Sequence, residues 1–141
     1  MAGYSGTPLL KKIGIKERHR IVAPRAPDSF FRDLGKLPKG AEVVARVTPP
    51  LDVVVTFVKS QSELARDFAR LAEALAADGM LWVAWPKKAS GVATDLNENI
   101  VRDIGLPHGL VDIKVCAIDE TWSGLKFVVR RENRGKREAA G

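Results

Sequence analysis

A chain of 141 residues that is 45% apolar and 28% charged fits one globular domain and excludes disorder of the whole. No apolar run reaches the roughly 18 residues of a membrane-spanning helix. Met1–Gly6 lacks a signal-like start and Cys116 has no second cysteine to pair with, so the cytoplasm is the expected compartment and no membrane the expected partner.

In chain order, Thr7 caps a short helix that begins at Pro8 and stops at Gly14, with Leu9, Leu10 and Ile13 as its apolar face. Ile21-Val22-Ala23 reads as a first strand, ended by Pro24, which cannot donate to a sheet ladder. Asp28 suits the cap of a helix over Ser29–Leu34, with Phe30, Phe31 and Leu34 inward and Gly35 as the stop. Ala41–Val47 reads as a second strand, broken by Pro49-Pro50.

The middle of the chain carries the clearest pattern. Leu51–Val58 is an almost continuous β-branched run, as expected of a strand covered on both faces. Ser60 and Glu63 form a capping box, and Leu64, Phe68, Leu71 and Leu75 line one face of a helix that ends at Asp78-Gly79. Met80–Trp85 is a second buried strand, stopped by Pro86. Such a strand–helix–strand unit is a right-handed crossover with its two strands parallel. A polar loop over 87–94 leads to a helix with Asp95 and Glu98 as a second capping pair, Leu96, Ile100 and Ile104 inward and Gly105 at its end. Val111–Ile118 and Leu125–Arg130 alternate and close the chain as an antiparallel hairpin.

This order predicts an α/β fold of three layers: a mainly parallel, Rossmann-like sheet of about six strands, helices on both faces and a C-terminal antiparallel hairpin. One domain is expected over 1–131, followed by a basic, disordered tail over 132–141. Arg130–Gly141 carries five basic and two acidic residues, half of the net +6. Two readings of that tail stand, a solvated end and a weak electrostatic arm for nucleic acid.

The succession of buried strand, long helix, strand ending in Trp85-Pro86, loop, helix and closing hairpin resembles the C-terminal half of the class I methyltransferase fold. Leu81–Lys88 and Asp119–Leu125 also resemble a family of small bacterial proteins of unknown function, over about Tyr4 to Arg131. In methyltransferases a glycine-rich turn follows the first strand and lets the backbone approach S-adenosylmethionine. Here that stretch is Ala23-Pro24-Arg25-Ala26-Pro27-Asp28, without glycine. An acidic residue usually ends the second strand and holds the ribose, whereas this one ends Ala45-Arg46-Val47-Thr48, and no helix fits between Val47 and Leu51. The resemblance supports the architecture and argues against the usual cofactor site.

Ligands of open parallel sheets sit beyond the carboxyl ends of the strands. The candidate residues there are Arg25, Lys59, Lys87 and Lys88 as cations, Asp119 and Glu120 as carboxylates, Trp85 and Trp122 as flat apolar surfaces, and Ser90 and Thr94 as loop hydroxyls. A small anionic or aromatic ligand suits such an edge. Each residue also has a plain structural role: core tryptophans, solvated lysines, and side chains that satisfy loop backbone. No metal is expected, because His19, His108 and Cys116 lack zinc spacing, and neither a Gly-x-Ser-x-Gly elbow nor a Walker loop is present. The reading ranks first a non-catalytic module for a small ligand or a protein partner. A divergent methyltransferase holding its cofactor through Lys87, Thr94 or Asp119 comes second, and a nucleic-acid-binding accessory protein third.

Overall fold

The computed structural model describes residues 7–140. The readings that touch Met1–Gly6 and Gly141 lie outside the described residues. The two central apolar runs become adjacent parallel strands of a six-stranded sheet. β1 (Arg20–Val22) lies between β2 (Glu42–Val43) and β3 (Leu51–Phe57), parallel to both. β3 is parallel to β4 (Leu75–Pro86), with Val53–Phe57 matched to Met80–Ala84. β5 (Leu110–Ala117) and β6 (Trp122–Val129) form the antiparallel hairpin, and β6 pairs antiparallel with β4. The sheet order is β2-β1-β3-β4-β6-β5.

Alternation across β3 and β4 feeds two cores, one on each face. Val54, Val58, Leu81, Val83 and Trp85 pack with Leu64, Phe68 and Leu71 of α3 (Gln61–Glu73) and Val101 of α4 (Glu98–Gly105). Val53, Val55, Phe57, Trp82 and Ala84 pack with Leu9 and Ile13 of α1 (Leu9–Ile13) and Phe30 and Leu34 of α2 (Asp28–Leu34). Each fully buried side chain of this size contributes about 1.5–3 kcal/mol, so these clusters dominate the fold's stability. The Trp82 indole N–H, which burial would otherwise leave unpaired, donates to the Ile13 carbonyl at 3.0 Å.

Several element boundaries differ from the sequence expectation. Pro8 and Pro27, both extended, occupy the cap positions of α1 and α2, and Asp28 is the first helical residue, where its charge complements the helix dipole. The expected strand over Ala41–Val47 shrinks to two residues. After Val44 donates to Ile21 O at 2.7 Å, the chain turns away to cross β1 and reach β3. That crossover spans only residues 44–50, without a helix, and Val44 and Val47 lie against the α3-side core. α3 ends at Glu73, and Asp78-Gly79 falls inside β4 as a bulge: two steps along β3, from Leu51 to Val53, match five along β4, from Leu75 to Met80. A Cβ on Gly79 would stand 2.8 Å from Leu51 O, so the bulge requires glycine.

The C-terminal segment expected to be disordered carries a helix, α5 (Arg131–Ala140). Side chains tie it to the body. Asn133 Nδ2 donates to Gly109 O at 3.1 Å, and Arg137 Nη1 donates to Ala72 O and Leu75 O at 2.7 and 2.8 Å. The Ala72 and Leu75 carbonyls stand where α3 ends and β4 begins, so a cation there satisfies acceptors the helix leaves over.

Candidate functional site

Four parallel strands place their carboxyl ends on one rim. The hairpin brings β6 to the same rim from the other direction, since Trp122 pairs with Pro86 and Lys87 N donates to Thr121 O at 2.7 Å. The loops after β1, β3 and β4 and the hairpin turn therefore do gather on a common edge. Their side chains divide into separate groups.

Trp85, Lys87, Lys88 and Thr94 line a groove of about 480 Å³, together with Pro86, Asp95, Leu96, Asn97 and Ser123. Trp85 is a buried floor, and Lys87 is half-buried where Lys88 is exposed. The groove's wall is fixed by backbone-directed bonds. Thr94 Oγ1 donates to Lys59 O at 2.6 Å and accepts from Leu96 N at 3.1 Å. Asp95 Oδ1 accepts from Gln61 N, the first residue of α3, at 2.8 Å. The cap of α4 is therefore Asn97, whose Oδ1 accepts from Ile100 N at 2.9 Å, and the expected pair Asp95 and Glu98 does not form.

The remaining candidates sit elsewhere. Ser90 Oγ donates to Lys87 O at 2.7 Å and Asp119 Oδ1 accepts from Thr121 N and Trp122 N at 2.7 and 2.8 Å, so both close their own turns. Glu120 and the Lys59 side chain are exposed. Trp122 packs edge-on to Phe57 at 5.0 Å, on the opposite face of the sheet from Trp85, so the two tryptophans do not form one surface.

Arg25 follows β1, whose crossover runs through α2 to β2 while that of β3 runs through α3 to β4. Its backbone is left-handed, at φ 61°, in the turn where the methyltransferase pattern has glycine. Its guanidinium hydrogen-bonds Asp67 of α3, and its Nε lies 3.7 Å from Glu63 Oε2. Burial of Asp67 opposes its charge, but the Arg25 hydrogen bond and the charges of Arg25, Arg66 and Arg70 outweigh burial and hold the carboxyl below its usual range. An ion pair thus ties the turn after β1 to α3, and Glu42 within β2 is followed by no acidic residue among Val44, Ala45 and Arg46. The glycine turn after β1 and the acidic residue beyond β2 that mark the usual S-adenosylmethionine cradle are not among these residues.

A second groove, of about 540 Å³, opens beside β1 and β2, with Arg46 and Arg70 in its lining. Sequence reasoning passed over it. The available signal was its place on the carboxyl-end rim, between the turn after β1 and the residues ending β2. Away from the rim, burial raises the Cys116 thiol pKa against the pull of Lys12, Lys114 and Lys126, which keeps it protonated and poorly nucleophilic. Among the described residues no group of three or more His, Cys, Asp or Glu side chains gathers, and no helix is long and apolar enough to cross a membrane.

No family model matches the chain, and no curated protein matches it. Solved structures do. A possible exported protein from Bordetella parapertussis superposes with a TM-score of 0.61 at 7% identity over 85% of this chain, which spans 64% of that protein's length. Magnesium protoporphyrin IX methyltransferase from Synechocystis, with SAM bound, gives 0.54 at 12% identity, covering 86% of this chain and 74% of that one. A TehB-like SAM-dependent methyltransferase from Corynebacterium glutamicum gives 0.52 at 11% identity, covering 92% and 91%. The chain has a class I methyltransferase-like, Rossmann-like fold, and likeness at this identity shows the fold alone.

Proposed function

We propose that the chain is a non-catalytic binding module on a shortened methyltransferase-like fold, and that it takes a small anionic ligand with a flat apolar part in the Trp85–Lys88 groove. The observation that supports this reading is the Arg25–Asp67 ion pair, which ties to α3 the turn after β1 where the methyltransferase pattern has glycine. The Lys87 and Lys88 ammoniums beside the Trp85 floor supply that groove's anion-directed chemistry. The rim offers charge and shape: among the described residues no hydroxyl or thiol donates to a histidine or carboxylate, as an activated nucleophile would.

The second reading is a divergent S-adenosylmethionine-dependent methyltransferase. It is supported by the Synechocystis enzyme, which shares the fold and holds SAM. Native mass spectrometry of protein purified from cells separates the two. The binding module predicts a small-molecule adduct other than SAM that is lost in a Lys87→Ala/Lys88→Ala variant. A SAM adduct, or one indifferent to both substitutions, favours the methyltransferase.

A further inference from the structure

We propose that the open edge of β5 docks an extended segment of another protein, added to the sheet as a strand, in which acidic residues alternate with apolar ones.

β5 ends the sheet and pairs only with β6. Among the described residues, no hydrogen bond reaches the backbone of residues 113–116 from outside that hairpin. This stretch therefore offers a row of backbone donors and acceptors to a further strand. It also carries Ile113 at 53% and Val115 at 47% exposure, two of the four large hydrophobic side chains exposed among the described residues. Val115 stands opposite Leu125, which belongs to the α3-side core, so Val115 carries that apolar face out to the edge.

The opposite face is cationic. Lys114 stands directly across from Lys126, and like charges so paired destabilise a sheet. Lys126 Nζ lies 5.9 Å from the Trp82 ring centre, and Lys12 Nζ of α1 donates to Ala117 O at 3.1 Å. Burial and the charges of Lys114 and Lys16 lower the Lys126 pKa, and among the described residues no carboxylate is one of the groups acting on it. A lysine on an edge strand, and the bulge that shifts the register between Asp112 and Lys114, also keep two copies of the chain apart. Antiparallel self-pairing about Lys114 would set that residue against its own counterpart. Such a guard needs Lys114 alone. Lys126 stands on the inner strand, and its clustering with Lys114 and Lys16 is a repulsion that an acidic partner relieves and a second copy increases. The period of two then places carboxylates of the added strand on the lysine face and its apolar side chains beside Val115.

The test titrates the full chain with three short peptides: alternating glutamate and valine, alternating lysine and valine, and the glutamate–valine peptide N-methylated throughout, which has no backbone donor. The first is expected to bind saturably, one per chain, and to slow amide hydrogen exchange within residues 113–116. The N-methylated peptide is expected not to bind there. Lys114 is exposed, and Lys114→Glu is expected to weaken the glutamate peptide roughly tenfold and to let the lysine peptide bind in its place. Lys126→Met, which keeps an apolar stem over Trp82, is expected to weaken the glutamate peptide with no gain for the lysine peptide. Circular dichroism confirms that both variants are folded. Absence of saturable binding, equal affinity for the two charged peptides, undiminished binding of the N-methylated peptide, exchange protection confined to the Trp85–Lys88 groove, tighter binding of oligothymidylate at the same lysines, or a dimer joined through β5 would each overturn the proposal.

Discussion

At Arg25 the backbone and the side chain act in opposite directions. A left-handed φ costs a non-glycine residue about 1–2 kcal/mol, and the ion pair with Asp67 offsets that cost. Asp67 is 7% exposed, so removing its charge would strand the arginine beside a buried amide. Asp67→Asn is expected to lower stability by about 2 kcal/mol at neutral pH, below the range for fully buried pairs because Arg25 remains partly solvated. Its carboxyl pKa is depressed in the folded state, so its contribution is complete above the unfolded value of about 4 and lost as pH falls through the folded value. Urea denaturation at several pH values checks this. The gap between wild type and variant should close in acid, and a constant gap would mean that packing, not charge, sets it. The sequence showed Arg25 as a cation at the rim. Its partner lies 42 residues away on α3, beside the apolar stripe, and nothing local marks it.

Among the elements, legibility followed the range of the forces involved. β3, α3 and β4 were readable because burial on both faces and an apolar stripe write themselves into local periodicity. The Ser60 cap was readable for the same reason, although Glu63 reaches Lys59 N at 2.9 Å. Asp95 looked like a cap and is one, for α3 across 34 residues and not for its own helix. The Asp78-Gly79 pair looked like a helix stop, but Gly79 is fixed by Leu51 O in another strand. Gly105 looked like a helix end and marks a close approach: a Cβ there would stand 2.5 Å from the Phe127 ring and 2.9 Å from Phe68, both fully buried. Gly105→Ala is therefore expected to cost about 3 kcal/mol through overpacking between α4 and β6, read as a lowered urea midpoint at unchanged slope. A change below about 0.5 kcal/mol would show that the two rings can move aside.

For the whole molecule, the layering, the mainly parallel sheet and the closing hairpin were legible, and the strand order and the function were not. Two parallel strands with a crossover helix force their trailing loops onto one rim, so the rim could be placed from spacing alone. Which rim residues share a groove depends on faces and turns: one residue of register separates Trp85's face from Trp122's, and Asp119 is consumed by its own turn. The short crossover left the two-residue β2 exposed, with Glu42 its only acid and none among Val44, Ala45 and Arg46 beyond it. On the proposed reading the shared fold is kept while the turn after β1, glycine in the methyltransferase pattern, carries Arg25 and its ion pair with Asp67.

Calorimetric titration of the full chain with S-adenosylmethionine tests that conclusion most directly. No saturable heat is predicted up to millimolar ligand. One-to-one binding with a micromolar Kd would contradict it, because the cofactor would then have displaced or bypassed the Arg25–Asp67 pair.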